Sequence, residues 1–121
     1  MEEVSNLSRE EALDLISTFP IDPIGNRIII TLNVDEDEDE MGLTGSFVSP
    51  KQTVMAVGPY VRQILAGDEI NIDLDKFKIR TLSNTDSDER VTSLDFRTIL
   101  VDDRVYCLTT DSTVEYIYKQ K

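Results

Sequence analysis

The chain has 121 residues, 40% of them apolar, with 24 acidic against 12 basic side chains, no His and a formal charge of −12. That length buries one core and makes one domain, and the charge argues against a nucleic-acid binder, whose phosphate contacts come mostly from Lys and Arg. No apolar run is long enough to span a bilayer and no signal-peptide pattern opens the sequence, so a soluble, cytoplasmic protein is expected, without membrane or nucleic-acid partners.

In chain order, Ser8-Arg9-Glu10-Glu11 has the S-x-x-E form of a capping box. With Ala12, Leu13, Leu15, Ile16 and Phe19 behind it, it predicts a short amphipathic helix ending near Pro20. Pro20 and Pro23 bracket a turn, and 27–34 reads as a strand rich in β-branched residues that stops at six unbroken carboxylates, 35–40. A second strand, 53–57, closes at Gly58-Pro59, and Ala66-Gly67-Asp68 marks another turn. Residues 69–74 alternate polar and apolar with the period of a half-buried strand. A polar loop, 83–90, separates 77–79 from 91–96. Short strands at 98–101, 105–108 and 114–118 are divided by turns at Asp102-Asp103 and Asp111-Ser112. Strands this short and frequent predict an antiparallel barrel or sandwich.

The residues offer little for catalysis. Without His there is no acid–base shuttle at neutral pH and no Ser-His or Cys-His nucleophile pair. Cys107 is the single cysteine and lies in an apolar strand pattern, where a buried inert thiol is expected. No glycine belongs to a phosphate-cradling loop, and no carboxylate pair is marked out by position. An EF-hand loop counted from Asp35 would need Gly at its sixth place and Glu at its twelfth, which hold Glu40 and Ser46. No enzyme, cofactor or metal site is expected, and the acid run reads as an extended, solvated segment. DNA mimicry would suit the sign of the charge, but these carboxylates bunch instead of spreading at phosphate-like spacing.

Four stretches in order carry a resemblance: 23–30 (PIGNRIII), 43–46 (LTGS), 54–59 (VMAVGP) and 66–70 (AGDEI). With the tail at 99–118, they resemble the landmarks of the GroES-type co-chaperonin family. That resemblance implies a small GroES-like antiparallel β-barrel over 23–121, a mobile loop at 35–52 and a roof-like insertion at 73–97 longer than the family's hairpin. Residues 1–22, ahead of the family's usual start, would be an added N-terminal helical extension. It implies a non-enzymatic lid that caps an ATP-bound GroEL-type chaperonin and assists protein folding, assembled as a ring of seven with first and last strands meeting at each interface. The chaperonin-binding residues would be Met41, Gly42, Leu43, Thr44, Phe47 and Val48. The loop departs from the family in carrying Gly42 where a β-branched residue is usual. Divergence of this kind suits a virus-encoded relative, from a bacteriophage, working in the host cytoplasm. The alternative is a structural or adaptor module, such as a virus-particle component, that reuses the barrel. Inward positions on the strands are expected to be Ile28, Ile30, Val54, Ala56, Ile70, Ile72, Val105 and Ile117, from alternation.

Overall fold

The computed structural model describes residues 6–38, 44–82 and 90–119. Among the described residues one α-helix, α1 (Arg9–Ile16), precedes ten strands: β1 (Arg27–Thr31), β2 (Val34–Glu38), β3 (Thr44–Val48), β4 (Lys51–Val57), β5 (Glu69–Ile72), β6 (Lys78–Leu82), β7 (Arg90–Leu94), β8 (Thr98–Val101), β9 (Arg104–Thr110) and β10 (Val114–Tyr118). Six of them make one antiparallel sheet in the order β10-β5-β4-β1-β9-β8, while β2–β3 and β6–β7 are separate two-stranded ribbons. Among the described residues no helix is long and apolar enough to cross a membrane.

Helix α1 begins where the capping box predicts. The Glu11 amide donates to Ser8 Oγ at 3.2 Å and the Ser8 amide donates to Glu11 Oε1 at 3.0 Å, which satisfies two amides that the helix start would otherwise leave bare. Hydrogen bonding from the Ser8 amide, and then from the Ser8 hydroxyl, holds the Glu11 carboxyl below its usual range. The helix lies close over the turn before β5. A Cβ at Gly67 would meet Leu13 Cδ2 at 3.0 Å, and the same glycine takes φ +98, so the position needs Gly both for space and for backbone conformation.

Two cores form, one on each face of the sheet. Ile28, Ile30, Val54, Ile70, Ile72 and Cys107 bury one face together with Ile64 and Phe77 from the connections. Ile29, Met55, Val101 and Tyr106 bury the other against Leu7 and Ala12 of the N-terminal segment, and Phe19 meets the Tyr106 ring edge-on at 5.1 Å. This double burial explains Ile28-Ile29-Ile30: a strand covered on both faces reads as a continuous apolar run.

Two of the expected inward positions fall elsewhere. Opposite β1, Ile29 pairs with Ala56 but Ile30 pairs with Val54, which leaves Met55 as an extra residue on β4. This β-bulge reverses the alternation. Val54 and Val57 face the first core, whereas Met55 and Ala56 both turn to the helix side. Val105 stays 51% exposed because β1 ends at Thr31, opposite Tyr106, so the hairpin β8–β9 runs one step beyond the strand that would cover it. Its cross-strand neighbour Leu100 is 67% exposed. Ile28, Ile30, Val54, Ile70 and Ile72 lie in the first core as expected, with Ile117 packed against it.

The fold is mainly β and antiparallel, with a short N-terminal helix, and its sheet is open: the ends are β10 and β8. Because α1 shields one face and the connections carrying Ile64 and Phe77 cover the other, both faces are buried without the end strands meeting. The first strand is central, between β4 and β9, so it is not an edge that could meet the last strand of a neighbour. Gly58 welds two turns beside it: a Cβ there would come within 2.4 Å of the Gly25 carbonyl oxygen, and the Tyr60 amide donates to that same oxygen at 2.9 Å.

Candidate functional site

The acid run does not end the chain's β structure; it forms a strand. Val34, Asp35, Glu36, Asp37 and Glu38 on β2 stand opposite Val48, Phe47, Ser46, Gly45 and Thr44 on β3. In this register no carboxylate faces another across the ribbon, so repulsion between strands is avoided, and Thr, Phe and Val supply the β-forming residues that the acidic strand lacks. Of the expected docking residues, Thr44, Phe47 and Val48 lie on β3, with Val48 half-buried at its base. Met41, Gly42 and Leu43 lie outside the described residues.

A two-stranded ribbon is marginal by itself, so its base must hold it. The base is organised by Gln52 of β4, which is only 1% exposed. Its Oε1 accepts from the Thr31 hydroxyl at 2.7 Å and the Asn33 amide at 2.8 Å. Its Nε2 donates to the Asn33 carbonyl at 3.0 Å and the Ser49 carbonyl at 2.6 Å. One side-chain amide thus grips the strand leaving for the ribbon and the strand returning from it. The Ser49 amide closes the junction by donating to the Asn33 carbonyl at 2.9 Å, and the Thr53 amide donates to Thr31 Oγ1 at 3.0 Å. All four hydrogen-bonding valences of the buried amide are used, as a buried polar group requires.

No family model and no curated protein matches this chain.

Burial pushes the Cys107 thiol up to about 12, which keeps it protonated and unreactive at neutral pH. Burial likewise raises the Tyr106 hydroxyl. Among the described residues no group of three His, Cys, Asp or Glu side chains is placed to hold a metal ion. The second ribbon, β6–β7, is rooted differently: the Asp95 amide donates to the Phe77 carbonyl at 2.8 Å, and the Phe77 and Phe96 rings pack 4.7 Å apart beneath it. It occupies the stretch expected as the roof-like insertion. The first ribbon combines a charge-rich sequence with a polar base whose buried Gln52 amide is fully hydrogen-bonded.

Sequence reasoning missed Gln52, β2 and β3. A glutamine at the start of an apolar strand, Lys51-Gln52-Thr53-Val54, has no periodic signature of its own. Its partners Thr31 and Asn33 become neighbours only after β1 and β4 pair.

Proposed function

We propose that this chain is a co-chaperonin that caps a GroEL-type chaperonin in its ATP-bound state by offering the β2–β3 ribbon as a docking element. The observation that carries the reading is the place of this ribbon: β2 and β3 pair only with each other, outside the six-stranded sheet, between β1 and β4, where the family resemblance puts its docking loop. The ordered landmarks in the sequence add to it. In this reading 35–40 keep the ribbon solvated, and Met41 and Leu43, backed by Thr44, Phe47 and Val48, enter an apolar groove on the chaperonin. Burying Met41 and Leu43 would yield about 3–5 kcal/mol before ordering costs. Each contact is then weak, and a ring of copies, seven by the resemblance, supplies the rest through effective concentration. Weak single contacts keep the lid releasable. The protein would work in the cytoplasm, that of the host if it is virus-encoded.

The test is co-purification of the chain with a GroEL-type chaperonin with and without ATP, for the wild type and for a double variant, Met41→Ser with Leu43→Ser. We expect ATP-dependent binding by the wild type, at least tenfold weaker binding by the double variant, and an unchanged oligomeric state. Absence of binding under every nucleotide condition overturns the reading.

A structural or adaptor role is the second reading. The exposed Leu100–Val105 pair and the open sheet edges at β8 and β10 favour it, since both are surfaces a permanent assembly would cover. That role needs no apolar docking residue at 41–43, so the double variant separates the two.

A further inference from the structure

The N-terminal segment before α1 is bound to the base of the acidic ribbon by an exchange of side-chain amides. Asn6 Nδ2 donates to the Val34 carbonyl at 2.7 Å, and the Val34 amide donates to Asn6 Oδ1 at 3.0 Å. In return, the Leu7 amide donates to Asn33 Oδ1 at 2.9 Å, and Asn33 Nδ2 donates to the Leu7 carbonyl at 2.8 Å. Each asparagine reads both backbone groups of a residue on the opposite segment, as a neighbouring strand would. The pairing spans 26 to 28 positions of sequence and falls on the two residues where the chain leaves β1 for the ribbon.

Two further features set this contact apart from the packed body. The Asn6–Val34 pair is exposed, and a cleft of about 250 Å³ lined by Asn6, Arg9, Asn33, Ser49, Lys51 and Gln52 runs beside the segment, so amides across an open cleft hold much of it in place. Only Leu7 sinks its side chain into the helix-side core. An eight-residue helix is too short to persist by itself, so α1 and the segment before it depend on such contacts.

We propose that residues 6–7 are a strap that sets the order of the acidic ribbon, with Asn6 and Asn33 as its positioning residues. With the strap engaged, the base is held from two sides: by Gln52 beneath, and by the N-terminal segment beside Val34. The ribbon is then partly ordered before any partner arrives, and less entropy is lost on docking. With the strap released, the ribbon keeps Gln52 but loses the lateral hold at its first residue, and docking weakens although no docking residue has changed. The proposal rests on the reading of the ribbon as the docking element, but its mechanical core is measurable without a partner.

The experiment is hydrogen exchange of backbone amides in the full-length wild type and in two variants, Asn6→Ala and Asn33→Ala. Asn6→Ala removes only the two exposed bonds and leaves every core residue in place, so it should fold normally. We expect exchange across 34–38 and 44–48 to rise by about three- to tenfold in Asn6→Ala, more in Asn33→Ala, with Ile28, Ile29 and Ile30 unchanged in Asn6→Ala. Ribbon exchange at the wild-type rate in Asn6→Ala overturns the strap, and so does an equal rise in β1 and β9, which would make the contact one of general stability. Faster ribbon exchange without any chaperonin binding by the wild type would keep the strap and discard the co-chaperonin reading.

Discussion

Gln52 shows how much one buried amide can decide. Replacing it with Leu keeps the volume but strands the Asn33 amide, the Ser49 carbonyl and the Thr31 hydroxyl hydrogen. The Asn33 carbonyl retains the Ser49 amide. An orphaned buried polar group costs more than a made hydrogen bond returns, so Gln52→Leu should lower unfolding stability by about 2–4 kcal/mol, read from denaturant unfolding. Cys107 is the opposite case, a polarisable atom used as a small hydrophobe in the first core. Its thiol keeps its proton to about 12 when folded, whereas the ordinary value is 9.0. Unfolding therefore releases a proton between those limits. Its contribution to stability is complete below pH 9 and is lost as pH rises towards 12, at a slope approaching about 1.4 kcal/mol per pH unit. Comparison with Cys107→Ala isolates this term: the wild type should lose stability more steeply above pH 9, and its thiol should react with a disulfide reagent only as fast as the protein unfolds.

Among the elements, the turn between β8 and β9 is the one whose sequence fits least well. Asp102 at φ 50 and Asp103 at φ 66 form a two-residue hairpin connection with both central residues left-handed, the geometry of a type I′ turn. Aspartate tolerates that conformation, but Asn-Gly adopts it at lower cost. Asp102→Asn with Asp103→Gly should therefore stabilise the protein by about 0.5–1 kcal/mol and raise its thermal midpoint by a few degrees. The same change removes two carboxylates next to Arg104, so the gain should be checked at high salt, where charge effects shrink. The bulge at Met55 is a second decision at this scale. By adding one residue to β4 it delivers Val54 and Val57 to one core and Met55 with Ala56 to the other.

At the scale of the whole molecule, charge opposes assembly. Each copy carries −12, and any ring multiplies the repulsion between neighbours. With a Debye length of about 30 Å at 10 mM salt and about 8 Å at 150 mM, association should be salt-dependent in the direction opposite to that of a basic protein binding an acidic one. Native mass spectrometry across this range should show monomer gaining at low salt and oligomer gaining at physiological salt. A strictly monomeric species at micromolar concentration and physiological salt would count against a self-assembled ring. If copies do associate, β10 and β8 are the open edges through which a sheet could continue, since β1 is already paired on both sides.

The sequence by itself determined the helix start, through Ser8 and Glu11, and most strands, because β-branched runs bounded by Gly, Pro and Asp state their conformation locally. It determined the turn at Gly58-Pro59 and the burial of Cys107 for the same reason. Only the tertiary structure decided where the inward alternation breaks. Ala56 followed alternation in the sequence and lost it to a bulge whose existence depends on how β4 lies against β1. Val105 lost its cover because β1 stops one residue too soon, a fact of register. The ribbon was least legible of all. Carboxylates in series oppose strand formation as a local composition, yet four of them, Asp35 to Glu38, are carried into β2 because Phe47, Ser46, Gly45 and Thr44 return opposite them and Gln52 holds both ends of the base. Gln52 lies 19 to 21 positions from Thr31 and Asn33 in the chain, and Asn6 lies 28 from Val34. Pattern rules report on a residue's near neighbours, and these bonds are made between residues that become neighbours only when the sheet has formed.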